Sequence, residues 1–211
     1  MKKVALLIDG GWFSKGLGTQ LGCPGNWPTA EQVCRNAKSV MTPEEEVFRI
    51  FYYDCEPFGK TLINPIDRSS LDFSLKPTFT SRRAFFADLG QREHVALRRG
   101  ELKARGWELA DAYKRNLMSG SPPTALTPQD VYPALQQKGV DMRIGIDVAT
   151  LALKKIVDRI ILFSGDMDMV PAIKLARREG VQVYLVKLGT WALKAHLTED
   201  ADGVRALMPQ V

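Results

Sequence analysis

The sequence predicts an α/β fold with a mainly parallel sheet, and three stretches carry that expectation. "KVALLID" is a short apolar run ending in an aspartate, the pattern of a strand buried on both faces. "VDRIILFSG", "MVPAIKLARREG" and "VQVYLV" come one after another with short links, as strand, helix and strand of a βαβ unit do. Just before them, "KGVDMRIGIDVATLALKKI" puts Ile144, Val148, Leu151 and Ala152 on one helical face.

Taken in order, the first strand ends at Asp9, and Gly10 and Gly11 make a sharp exit. "TAEQVCRNAKSVM" (29–41) has helical spacing, with Thr29 as cap and Glu31 and Gln32 near the first turn. "EVFRIFYYDC" (46–55) mixes aromatic and β-branched residues and reads as a second strand. Residues 56–80, with Pro57, Pro65 and Pro77, read as irregular, and "SRRAFFADLGQRE" (81–93) as a helix. "HVALRRGELKARGWEL" (94–109) alternates as a pair of strands around Gly100 or Gly106, and 116–133 reads as a loop or linker. After the βαβ unit, whose helix ends at Gly180, "TWALKAHLTEDADGVRAL" reads as helical and then irregular. No repeat or low-complexity tract interrupts the chain, so a single domain over 1–211 is expected, with a variable insertion at about 56–137.

The bulk numbers set limits. The chain has 211 residues, 45% hydrophobic and 25% charged, an ordinary globular composition that fills a sizeable core. The net charge of +5 suits a polyanionic partner, although many basic proteins are merely soluble. Cys23, Cys34 and Cys55 are an odd number without a CxxC, which argues against a disulfide framework or a zinc site and for reduced thiols in the cytoplasm. The apolar run before Asp9 is five residues long, too short for a secretion signal, and no stretch of about 18 apolar residues exists to span a membrane. "KGLGTQLG" fails the GxGxxG spacing because position 21 is Leu, and no GxxxxGK[ST] occurs, which argues against a dinucleotide or P-loop enzyme.

The acids are the chemistry-bearing feature. Ligands of open parallel sheets gather outside the carboxyl ends of the strands. One predicted strand ends at Asp9, and another leads into Ser164, Gly165, Asp166 and Asp168. Asp147, between Ile146 and Val148, belongs to the helix before it, and the segment leading into that helix contributes Asp141. Carboxylates brought together repel one another unless a cation intervenes. Mg²⁺ or Mn²⁺ prefers such oxygen ligands, whereas His94 and His196 alone cannot build a histidine site. Bland roles compete: Asp9 as a turn residue, Asp141 or Asp168 as a helix cap. Asp141 and Asp147 are six residues apart, about 600° of helix, and do not share a face.

"LLIDGGWF", "KGVDMRIGIDVATLA" and "ILFSGDMDMVPAIKLARREGVQVYLV" together resemble the NYN domain, in its LabA-like (DUF88) branch of the PIN-like nuclease superfamily. "ALRRGEL" adds a weaker likeness, and the resemblance covers 2–55 and 94–202. It implies a Rossmann-like three-layer α/β/α sandwich and metal-dependent cleavage of RNA with Mg²⁺ or Mn²⁺. It also implies core acids at Asp9, Asp147 and Asp166, supported by Asp168 and Asp141, with Ser164 holding a carboxylate or water. Two positions depart from the family pattern: Trp12 stands where an Asn is usual, and Met169 where a Phe is usual. Trp12 removes an amide that would orient a water or substrate, which puts efficiency in question.

Binding of the RNA backbone would fall to basic residues. Arg98, Arg99, Lys103 and Arg105 crowd the middle region with Arg82, Arg83 and Arg92, and Phe85, Phe86 and Trp107 lie among them. That mixture suits single-stranded RNA, but equally a solvated face over core phenylalanines. Lys138, just before Gly139-Val140-Asp141, would contact a phosphate or neutralise Asp141. Three functions rank in order: a metal-dependent ribonuclease, an NYN-fold RNA- or protein-binding regulatory module, and an aspartyl-phosphate phosphatase. The last lacks its usual second acid, since position 11 is Gly. A homodimer is left open, with no heptad or amphipathic seam to argue for it.

Overall fold

The computed structural model describes residues 1–22, 27–120 and 125–210, which divide into two compact units. The first holds Met1–Asp54, Phe85–Gly100 and Gly139–Val211, and the second Cys55–Ala84 and Glu101–Lys138. Among the described residues the elements run β1 (Lys2–Asp9), α1 (Gly10–Gln20), α2 (Ala30–Lys38), β2 (Glu45–Cys55), β3 (Thr61–Ile63), β4 (Ser70–Asp72), α3 (Pro77–Gln91), β5 (Val95–Leu109), α4 (Asp111–Met118), β6 (Val131–Lys138), α5 (Val140–Leu153), β7 (Arg159–Phe163), α6 (Val170–Arg178), β8 (Gln182–Leu188), α7 (Ala195–Glu199) and β9 (Gly203–Leu207). The strand order is β6-β5-β2-β1-β7-β8-β9, with β3-β4 as a separate pair. β1 pairs in parallel with β2 and β7, β7 with β8, and β8 with β9, while β5 and β6 are antiparallel. The class is therefore α/β, with a seven-stranded, mainly parallel sheet flanked by helices. Among the described residues, no helix is long and apolar enough to cross a membrane.

In the first unit, Val4 to Ile8 of β1 are all fully buried, as a central strand covered on both faces requires. Leu6, Ile8, Ile50, Tyr52, Ile161 and Phe163 form one core with Phe13 and Leu17 of α1, Val33 and Ala37 of α2, and Phe86 and Leu89 of α3. α5 buries Val140, Ile144, Val148, Leu151 and Ala152, the face its spacing predicts. Thr29 caps α2 in a reciprocal box with Gln32 (3.1 and 2.9 Å).

α1 is a helix where the sequence suggests only a glycine-rich exit. Its glycines are poor helix formers, but tertiary packing decides the outcome. A Cβ on Gly10 would stand 2.6 Å from the Tyr52 ring, and one on Gly16 would collide with Leu188. Without those side chains the helix lies close against the sheet.

The expected strand pair at 94–109 is one strand of 15 residues. Gly106, at φ 103°, makes no turn; it sits in the break of register between Ala104 and Trp107 opposite β6, a bulge. The partner strand comes from 131–138, which the sequence pattern divides between a linker and the approach to α5. The irregular stretch 56–80 carries the short pair β3-β4, and the irregular tail carries β9. Elements of three to five residues are too short for periodicity to reveal. Residues 121–124 of the expected linker lie outside the described residues.

In the first unit, the Glu45 side chain, fully buried, accepts from Arg205 (2.7 Å, through both carboxylate oxygens), from the Thr42 N–H (2.8 Å) and from Arg159. Both guanidinium groups also lie over the Tyr184 ring, at 4.5 and 4.6 Å. Burial pushes this carboxyl up, but the Arg205, Thr42 and Arg159 contacts outweigh it and hold it down at about 2. Breaking a buried ion pair costs about 3–5 kcal/mol, so Glu45→Gln is expected to destabilise the fold by about 3 kcal/mol or more in urea unfolding. Because the folded value lies below the ordinary 4.5, the wild-type contribution is complete above about pH 4.5 and lost as pH falls toward about 2. The acid-side loss of stability is expected to flatten in that variant.

Candidate functional site

Strand order supplies the location. β2 lies on one side of β1, and β7, β8 and β9 lie on the other, so the winding reverses at β1. The crevice outside the carboxyl ends at such a point is where open parallel sheets take ligands. Ile8 pairs with Tyr52 and Phe163, and Asp9 pairs with Tyr53, so the three strands end together. Asp54 comes directly after Tyr53 on β2, Asp9 closes β1, and Asp166 comes three residues after the end of β7.

Each acid is held by its local backbone. Asp9 is the N-cap of α1, and its Oδ1 accepts from the Trp12 N–H at 3.2 Å. Asp166 caps a short 3₁₀ turn, accepting from the Asp168 N–H at 3.0 Å, while its own N–H donates to the fully buried Ser164 Oγ at 3.1 Å. Ser164 therefore fixes the loop that presents Asp166. Asp141 sits in the first turn of α5, whose N-cap is Gly139 at φ 80°. The capping role open to Asp141 belongs to Gly139, and the one open to Asp168 belongs to Met169 at the start of α6. Asp166, not Asp168, is the capping acid of this loop. Met169 fills a core site at 2% exposure.

The acids also sense one another. Burial, with repulsion from Asp141 and Asp54, pushes the Asp9 carboxyl up to about 6 against the opposing N–H bonds from Trp12 and Gly11. Burial and then Asp166 and Asp168 push Asp141 up as well. Asp9, Asp54, Asp141, Asp166 and Asp168 thus form one electrostatic group. Asp54 is absent from the acids the sequence singles out. "FYYDC" carries the same signal as "LLID", an acid closing an apolar strand, and that signal could have found it.

Asp147 is differently placed. Its Oδ2 accepts from Arg98 Nε at 2.7 Å and from the Tyr53 hydroxyl at 2.8 Å. Arg98 lies over the Phe51 ring at 4.9 Å. Burial and the neighbouring Asp147 push the Tyr53 phenol up, so it remains a donor. The charge of Asp147 is therefore matched by Arg98, and Arg98 is held on a carboxylate and a ring. Arg99 lies over Phe86 at 5.8 Å, and Phe86, at 2% exposure, belongs to the core. Lys103, Arg105 and Lys138 belong to the second unit. There Lys103 pairs with Glu101 at 3.4 Å, Arg105 donates to Gln136 at 3.0 Å, and Lys138 stands opposite Glu101 across the β5-β6 ladder.

Among the described residues, no three His, Cys, Asp or Glu side chains are placed as a ready metal cage. The donor set nonetheless fits a hydrated hard cation. Mg²⁺ keeps several of its waters and takes only one or two carboxylates from a protein. Asp9 and Asp141, raised partly by like charge, are groups whose repulsion a cation would relieve.

Residues 104–206 match the NYN domain family. The matched segment includes Asp141, Asp147, Ser164, Asp166 and Asp168, whereas Asp9 and Asp54 precede it and join the group through the sheet. No curated protein matches the chain. Among solved structures it is similar to a protein of unknown function, VPA0982, from Vibrio parahaemolyticus, at 18% identity and a TM-score of 0.48, over 97% of this chain and 92% of that one.

The Asp9 carboxyl is expected to titrate near 6 without divalent cations, monitored by carboxyl-carbon NMR, and Asp141→Asn is expected to lower that midpoint. The folded value lies above the ordinary 3.8, so the associated stability is greatest below about pH 4 and declines as pH rises through about 6.

Proposed function

We propose that the chain is a metal-dependent ribonuclease of the LabA-like NYN branch, one domain over 1–211 in which about 56–137 is an insertion. The observation that carries this reading is the coupled group of acids at the carboxyl edge of β1, β2 and β7, in a chain with an NYN segment at 104–206. Asp9, Asp141 and Asp166 would hold Mg²⁺ or Mn²⁺, with Asp168 beside them and Asp54 adding negative charge behind Asp9. When bound, such an ion offsets charge on a phosphoryl oxygen and lowers the pKa of a coordinated water.

The chain's own residues prepare that chemistry. Asp9 carries a proton below about pH 6 and gives it up above, so the site gains negative charge toward neutrality. Ser164 and the Asp168 N–H hold the Asp166 loop. Asp147 and the Phe51 ring hold Arg98 in place beside the acids. RNA, single-stranded by preference, is the proposed substrate; a cytoplasmic location and a homodimer complete the proposal.

Trp12 favours a second reading, binding without cleavage, because an indole stands where the family's usual amide would orient water or substrate. One experiment separates the two. Purified protein with labelled single-stranded RNA and Mn²⁺ is expected to cleave, and Asp166→Asn to reduce the rate by about 100-fold or more. Asp9→Asn and Asp141→Asn are expected to fall with it, and a phosphomonoester is expected to stay intact. RNA binding with no metal-dependent cleavage across several RNA structures would leave the binding module.

A further inference from the structure

Two tryptophans stand at the rim of the acidic edge. Trp12 is tied to the site by its own N–H, which donates to Asp9. Its indole lies against the backbone of Gly165, the residue before Asp166: a Cβ there would stand 2.7 Å from Trp12 Nε1. Trp191 meets Trp12 edge-on, with ring centroids 6.1 Å apart and planes at 75°. Trp191 in turn lies over Gly16 of α1, where a Cβ would stand 3.2 Å from its ring. Both indoles are therefore fixed in position by glycines that make room for them, and both remain half-buried rather than sealed into the core. No described residue accepts from the Trp12 indole N–H, and that nitrogen is not shut away from solvent.

A half-exposed, pre-ordered pair of indoles with a spare N–H, next to residues that carry phosphate chemistry, has a specific use. Indole faces stack on nucleobases in a sequence-tolerant way, and the N–H can donate to a base carbonyl or a phosphate oxygen. We propose that Trp12 and Trp191 form a stacking site for one unpaired nucleobase, flanking the phosphodiester held at the carboxylate edge. The proposal rests on the ribonuclease reading for its substrate class and sharpens it. A base already stacked within a duplex has no free face to offer, so the pair selects single-stranded RNA over double-stranded RNA.

The test is made on binding, in EDTA, so that cleavage does not enter. In the full chain carrying Trp27→Phe and Trp107→Phe, Trp12 and Trp191 are the remaining indoles. Oligouridylate is expected to quench their emission, while an abasic oligomer of the same length binds without quenching. Trp12→Ala is expected to weaken oligouridylate binding by about 10-fold or more, and Trp12→Phe to restore most of it. Binding that leaves the emission unchanged, equal affinity for the abasic oligomer, or equal affinity for a duplex overturns the stacking site. The emission readout uses intact indoles, so it remains decisive if Trp12→Ala fails to fold. Quenching without cleavage in Mn²⁺ would sink the nuclease reading alone, and cleavage without quenching would sink the stacking site alone.

Discussion

The parallel register of β1 with both β2 and β7 is the constraint on which the site depends. Three strands running the same way and ending together deliver the residues beyond their last core positions to a common edge. In this chain those residues are Asp9, Asp54 and the Ser164–Asp166 loop. The fully buried Val4 to Ile8 hold β1 between its neighbours by packing on both faces. Apolar burial thus fixes the relative height of the acids without any of them contributing favourably to it.

Two groups of charge in the first unit show opposite solutions to the same problem. Glu45 is fully buried and answered by two guanidiniums, a backbone N–H and a shared aromatic ring, so its charge is locked and structural. Among the described residues, Asp9 is answered by N–H groups and crowded by other carboxylates. A fold gains nothing from the second arrangement, which is why the unbalanced group, not the balanced one, is the group proposed to take an external cation. Asp147 lies between these extremes: an acid in an apolar helix stretch that found its own Arg98.

How far the sequence foretells this depends on the kind of signal. Long apolar runs with their closing acids are plain, so β1, β2, β7, β8 and the buried face of α5 are expected where they stand. Glycines mislead in both directions. Those of α1 hide a helix because propensity opposes what close packing against Tyr52 and Leu188 permits, and Gly106 suggests a turn where a bulge stands. Site partners are harder still. Nothing in "GIDVA" announces that Asp147 will meet an arginine 49 residues earlier, or that Asp141 will be the acid that feels Asp166 and Asp168. Spacing along a helix separates those two aspartates correctly, but only the packed sheet says which of them turns toward the other acids.

Asp9 ends a strand and begins a helix with no residue between them. A carboxylate in that position is a mechanical joint as well as a proposed ligand. A ligand drawing on this carboxylate would also load the cap that holds the first turn of α1, and α1 carries Trp12. A ligand at the sheet edge would therefore bear on the local stability of a neighbouring helix, and through it on the surface that the helix presents.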